Sequence, residues 1–273
     1  AMLASEFWWV ENLITKDTLI VAVSQSGETA DVLEAVRIAK RKGCKVVGIV
    51  NVMGSSLTRL ADEVLGINAG PEISVVATKS YTNQLALLYL LYSTLKGSYA
   101  RGKRKVEETQ RALAELLSKD LFSALGKVSS KLKDAGSIYL MGRGLDYVTA
   151  LEGALKIKEI SYIHAEGFAA GELKHGTLAL IERGTPVVAI LTENEYFDLT
   201  LSNIMEVKAR GGWILAVSHV KHESFDSFIK VPTEGLGVIT SIVPLQILAY
   251  KLALARGYDP DKPRNLAKSV VVI

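Results

Sequence analysis

Three stretches of the chain concentrate side chains able to hold an anion or move a proton. The first, Ser24-Gln25-Ser26-Gly27-Glu28-Thr29, packs three hydroxyls, an amide and a glycine between an apolar β-branched run, Leu19 to Val23, and a helical pattern. Where a strand feeds a helix, unpaired backbone amides and the positive end of the macrodipole attract negative charge. An N-cap turn, with Glu28 in the first helical turn, would use one hydroxyl; three favour a phosphate loop. The second stretch is a stripe on a mostly apolar helical segment beginning at Ala150. Glu152, Lys156 and Glu159 are four and seven residues apart, so they fall within about 60° on a helix of 3.6 residues per turn. Lys158 points at least about 100° away. A solvent-facing ion pair is the alternative for this stripe. Downstream, His164, Glu166, Glu172, Lys174 and His175 stand among Gly and Ala. Small residues allow close backbone approach, so these groups are expected in crowded, partly desolvated surroundings suited to acid–base work. The third is the tail Asp261 to Ser269, whose Lys268 lies just before the apolar Val270 to Ile273. That apolar end predicts a docked tail and a lysine able to reach a site.

Other chemistries fit poorly. No H-E-x-x-H or comparable spacing points to zinc, and no G-x-S-x-G elbow points to a serine hydrolase; no metal is expected. A net charge of +3, from 32 basic and 29 acidic residues, is too small and too evenly spread for a nucleic-acid or membrane surface. The expected partner is a small molecule. Cys44 is the single cysteine, so no intrachain disulfide can form, and a reducing, cytoplasmic setting is expected. No signal peptide pattern opens the chain, and apolar runs such as Leu85 to Leu91 stop well short of the roughly 20 residues that cross a bilayer.

An internal repeat supplies the elements that must position these groups. Thr18 to Asn51 and Pro186 to His219 follow one plan without a gap, each a buried strand, a polar turn, an amphipathic helix closed by Gly43 or Gly211, and a second buried strand. Each is a βαβ unit with parallel strands. Long apolar helices follow at Ser80 to Leu95 and Val238 to Leu254. At the register of the hydroxyl loop the second copy reads Thr192-Glu193-Asn194-Glu195-Tyr196-Phe197, without glycine and with carboxylates that would repel a phosphate. The expected architecture is α/β, two doubly wound parallel-sheet subdomains of flavodoxin or Rossmann-like type. Residues 1–95 form the first, 96–133 a helical linker, 134–257 the second and 258–273 a tail that closes the active site. The second half has a strand and helix before its repeat, Ser137 to Tyr162, with no counterpart in the first. The first subdomain is therefore expected to lack its opening strand and helix and to belong to something longer. Gly54-Ser55-Ser56 and Thr78-Lys79-Ser80 follow strand-like segments and could line the same crevice as the loop.

The segments SQSGET, ALEGALKIKEISYIHAEGFAAGELKHG and PRNLAKSV, in this order, resemble the sugar isomerase (SIS) domain pair of the glucosamine-6-phosphate synthases, the glutamine–fructose-6-phosphate aminotransferases. The resemblance runs from about Ala4 to Ile273. It implies an isomerase that takes fructose 6-phosphate, aminated when ammonia is supplied, to glucosamine 6-phosphate, with glucose 6-phosphate as the unaminated product and no cofactor. By motif, Ser24, Gln25, Ser26 and Thr29 would hold the phosphate, and Val75 and Ala267 would border the sugar. Glu159 would move the proton between C1 and C2, and Lys156 would stabilise the enediolate. His175, donated across a homodimer interface, would open the ring, and Lys268 would form a Schiff base with the open-chain ketose. The family's glutaminase domain, with its nucleophilic cysteine, has no counterpart; Cys44 sits where packing suits it. Two other readings keep the fold: a stand-alone glucosamine-6-phosphate deaminase, and a non-catalytic sugar-phosphate-binding regulator. The regulator would need Ser24 to Thr29 but neither Glu159 nor His175.

Overall fold

A computed structural model describes residues 1–271. It divides into two compact units, 1–89 with 265–273 and 90–264, so the division falls inside one helix and again in the tail.

In the first unit the β-branched runs become three parallel strands in the order β1 (Leu19–Ser24), β2 (Lys45–Val50) and β3 (Glu63–Gly66). Leu19 pairs with Lys45 and Ser24 with Val50, so both strands end at one level. Helix α1 (Ala30–Arg41) crosses from β1 to β2, and the short α2 (Ser56–Leu60) leads into β3. The apolar face of α1, with Leu33, Val36 and Ala39, packs with Val46, Val50, Leu57 and Phe7, the last from a 3-10 turn at Ala4–Val10. Cys44 belongs to this core and its thiol donates to the Thr15 carbonyl at 3.1 Å. Helix α3 (Lys79–Leu95) follows.

The second unit holds α4 (Tyr99–Leu116) and α5 (Lys119–Leu132), then β4 (Ser137–Gly142), α6 (Leu145–Ser161), β5 (His164–Ala169), β6 (Pro186–Leu191), α7 (Phe197–Lys208), β7 (Trp213–Ser218), β8 (Ser227–Lys230) and α8 (Gly237–Ala255). Its five strands are all parallel, in the order β5-β4-β6-β7-β8. Alternation along the strands sends Tyr139, Met141, Val187, Ala189, Ile214 and Ala216 to one face, against Ile204 and Val207 of α7. Ile138, Leu140, Val188, Ile190, Leu215 and Val217 point to the other face, where α6 and α8 pack. Helix α8 is long and apolar enough to cross a membrane by length and composition, but most of it is buried against α5 and α6.

The repeat is realised with its spacing intact. Strands β2 and β7 begin at Lys45 and Trp213, and α1 and α7 are each followed by a left-handed glycine, Gly43 at φ +75° and Gly211 at φ +83°. Among the described residues the first unit has no partner for the free side of β1, whereas β6 is flanked by β4 and β7. Leu19 and Val21 are accordingly exposed, and every residue of β6 after Pro186 is buried. Strands β3, β5 and β8 add to the strands the repeat announced. The segment expected as a connection, 96–133, is almost wholly the helix pair α4 and α5, and α5 packs along α8.

Candidate functional site

Backbone geometry at the end of β1 explains why Ser24 to Thr29 has its composition. Ser24 Oγ accepts from Gly27 N at 3.0 Å, and Ser26 Oγ accepts from Glu28 N at 3.1 Å. Helix α1 starts only at Ala30; its N-cap, Thr29, makes no side-chain cap bond, and Thr29 Oγ1 lies 3.3 Å from Ser24 Oγ instead. The hydroxyls therefore shape the loop rather than cap the helix. A hydroxyl that accepts from the backbone still has its own proton to give, so this loop presents O–H donors where strand and helix meet.

Gly27 cannot be another residue here. Its φ is +70°, and a Cβ would fall on Ser55 Oγ and 2.8 Å from Val50 Cγ2. Gly54-Ser55-Ser56 thus lies against the loop, as expected: Leu57 N donates to Gly27 O at 3.0 Å and Ser56 N to Glu28 Oε1 at 2.8 Å. Those bonds to Ser56 hold the Glu28 carboxyl below its ordinary range. Ser55 Oγ is buried without a hydrogen-bond partner, a hydroxyl the resemblance did not assign.

Thr78-Lys79-Ser80 has a different place. It wraps Glu72, whose carboxylate accepts from Thr78 N at 2.8 Å, from Ser80 N at 3.3 Å and from the Ser80 hydroxyl. Lys268 reaches the same spot, donating to Ser74 O at 2.6 Å and Val75 O at 3.4 Å. The tail is docked, but not by apolar burial: Val270 and Val271 are exposed, and the anchor is Val270 O accepting from Ala30 N at 3.0 Å. Val272 and Ile273 lie outside the described residues. Ala267 is exposed.

On α6 of the second unit the stripe is buried, which removes the solvent-facing alternative. Lys156 is 3% exposed. Its ammonium lies 3.0 Å from Glu152 Oε1 and 2.9 Å from Glu159 Oε2, while Lys158 is exposed. The helix reaches this depth because Gly167 on β5 has no side chain; a Cβ there would fall 2.7 Å from Ala150 O. Burial pushes the Glu152 carboxyl up, against the pull of Lys156. Two carboxylates and one cation make a strongly coupled, poorly hydrated group that can hold and pass a proton.

The stretch His164 to His175 departs from expectation. It forms edge strand β5 and a 3-10 turn, Ala170–His175, and His164, Glu172, Lys174 and His175 are exposed rather than desolvated. An edge strand has one neighbour, and alternation turns half its side chains outward; Gly and Ala served the backbone contacts, not the charges. Two contacts fix the turn. Lys174 pairs with Glu206 at 2.9 Å, and the Arg143 guanidinium, bonded to Asn203 Oδ1 at 3.0 Å, fills the space a Cβ on Gly171 would need.

The loop of the second repeat is occupied by the protein itself. Asp146, at the start of α6, accepts from Thr192 N at 2.7 Å, Glu193 N at 3.1 Å and the Thr192 hydroxyl. Burial raises its carboxyl above the usual range despite these bonds. Burial also raises Glu193, with Asp146 and Glu195 adding repulsion. The carboxylates that the sequence showed as hostile to phosphate are joined by one that takes the amides directly. Sequence reasoning missed Asp146, Arg143 and Glu72 because each acts on residues distant in the chain; only the acid before the Thr78-Lys79-Ser80 turn gave a local hint.

Comparison with known proteins agrees with this fold. The SIS domain model matches residues 2–94 and 131–256. The glutamine–fructose-6-phosphate aminotransferases of Pyrococcus horikoshii and Thermococcus kodakarensis are 52% and 50% identical over 96% and 98% of the chain, covering 45% and 46% of their own lengths. The chain thus spans about half the length of the curated relatives it matches. The C-terminal domain of the glucosamine-fructose-6-phosphate aminotransferase from Francisella tularensis superposes with a TM-score of 0.85 at 36% identity, covering 96% of this chain and 77% of that one. A glucosamine-6-phosphate deaminase from Thermotoga maritima gives 0.79 at 28% identity, covering 98% and 80%. With a duplicated parallel α/β plan, a hydroxyl loop in one copy and a buried carboxylate–lysine stripe in the other, the chain belongs to the SIS domain family.

Proposed function

We propose that the chain is the ketose–aldose isomerase portion of a glutamine–fructose-6-phosphate aminotransferase. The observation that carries this reading is the buried Lys156 ammonium held between Glu152 and Glu159. Moving a proton between C1 and C2 of a sugar needs a base at carbon and a cation for the oxygen that becomes an enediolate. Glu159 takes the first role and Lys156 the second. Ser24, Gln25, Ser26 and Thr29 bind the phosphate; Val75 and Ala267 border the sugar. Lys268 is the amine that forms an imine with the open-chain ketose. His175 opens the ring, acting in a homodimer on the partner's substrate; its exposure in the single chain supports that arrangement. Ammonia comes from a glutaminase portion, in keeping with the relatives' name, glutamine–fructose-6-phosphate aminotransferase.

The test is to incubate the chain with fructose 6-phosphate in heavy water and follow glucose 6-phosphate and its deuterium content, then to add ammonia and follow glucosamine 6-phosphate. Glu159→Gln should lose isomerisation by about 10²–10⁴-fold, the usual worth of a general base. Parent-level turnover in that variant would overturn the assignment. Faster ammonia release from glucosamine 6-phosphate than synthesis would instead favour deamination.

A further inference from the structure

The surroundings of Lys268 carry a role for a residue that the sequence motifs did not single out. An ammonium has three N–H donors, and Lys268 Nζ has three acceptors around it: Ser74 O at 2.6 Å, Val75 O at 3.4 Å and Glu72 Oε2 at 3.5 Å. All belong to the first unit, as does Lys268. Glu72 has a side chain only 3% exposed, and besides Lys268 it receives the amides of Thr78 and Ser80 and both their hydroxyls. It therefore ties the start of α3 to the loop that carries Ser74 and Val75, and turns a negative charge toward a lysine 196 residues away in sequence. Burial works against the charge, but those hydrogen bonds and Lys268 together hold the carboxyl below its ordinary range. The other charged side chain on that turn, Lys79, is exposed.

We propose that Glu72 is a positioning residue for Lys268, holding its nitrogen beside the Val75 carbonyl until the open-chain ketose arrives. The proposal rests on the imine role given to Lys268 above. In that step the ammonium releases one proton to solvent and the amine nitrogen adds to the C2 carbonyl. The carbonyl oxygen leaves as water carrying both remaining amine protons, so atoms and charge balance. The carboxylate at 3.5 Å and the two carbonyls fix where that nitrogen stands before it adds.

The experiment is borohydride trapping of the chain across a concentration series of fructose 6-phosphate, with the labelled lysine located by peptide mass spectrometry. The parent should be labelled at Lys268 and Lys268→Arg should not. Glu72→Gln should be labelled several-fold more slowly at saturating fructose 6-phosphate with the half-saturating concentration unchanged, and Glu72→Asp, which keeps the charge, should recover part of the rate. Coincident profiles for the parent and Glu72→Gln would overturn the role of Glu72 alone. No label on the parent at any concentration would remove the imine assignment and this inference with it. A second measurement needs no variant: competitive reductive methylation of the parent should modify Lys268 several-fold more slowly than the exposed Lys262, and equal rates would likewise overturn the proposal.

Discussion

Replacing Lys156 with methionine tests the buried stripe most directly, because it removes the cation and keeps the volume. In the parent, Lys156 is 4% exposed at its side chain, with Glu152 at 14% and Glu159 at 21%. All three are too well covered for solvent to replace the lost partner. Breaking a buried ion pair from one side costs about 3–5 kcal/mol, since the remaining charges stay desolvated and uncompensated. For a unit the size of 90–264 that corresponds to a fall of roughly 6–20 °C in melting temperature. The sign with pH follows from Glu152. Burial raises its carboxyl in the folded state, so the native protein holds a proton that the unfolded chain has released. Stability then falls as pH climbs from the unfolded carboxylate value through the raised native one. Without Lys156 that interval extends upward, and the deficit of Lys156→Met should be smaller at pH 5 than at pH 8. Urea or thermal melts at both values, followed by circular dichroism, are the assay. A deficit below about 1 kcal/mol, as expected of a surface pair, or one that does not change with pH, would refute the reasoning.

Other consequences are as direct. If Ser24 to Thr29 bind phosphate, inorganic phosphate should raise the parent's melting temperature; Gly27→Ala places a methyl group on Ser55 Oγ at a φ of +70°, so it should destabilise the first unit by more than the roughly 1–2 kcal/mol of the dihedral alone and abolish that rise. A phosphate-dependent shift equal to the parent's would contradict the loop assignment. Ser26→Ala removes the acceptor for Glu28 N and should weaken the same phosphate effect with little change in stability without phosphate. Asp146→Ala leaves Thr192 N and Glu193 N without their acceptor and should cost about 1–3 kcal/mol in denaturant titrations. Because the Asp146 carboxyl is raised in the folded state, the parent loses stability on this account as pH rises above about 4; Asp146→Asn, which does not titrate, should gain on the parent over that rise. Melts of the two proteins that run parallel across the series would count against it.

Much of the fold was legible because burial writes a period into sequence. Leu19 to Val23 and its copy at Pro186 both read as strands, although the burial expected of both faces holds only in the copy, and Gly43 and Gly211 marked where the helices end. Strands β3 and β8 were less legible, being four residues long, and β5 was hidden because an edge strand of His, Glu, Gly and Ala has no continuous apolar run. At the site, Ser24 to Thr29 was legible from residue types alone. The setting of His164 to His175 was misjudged for a physical reason: small residues report close backbone approach, and here Gly167 meets α6 while the neighbouring charges face outward.

The sequence by itself determined the duplicated βαβ plan, the loop of hydroxyls in one copy only, and the shared face of Glu152, Lys156 and Glu159, because each is set by spacing along a single element. Tertiary structure alone decided that this face is buried, that Asp146 takes the amides of the second copy's loop, and that Glu72 and Ser74 meet Lys268 across 196 and 194 residues. Desolvation and long-range pairing depend on which elements come to lie together, and a period of two or of 3.6 carries no record of that.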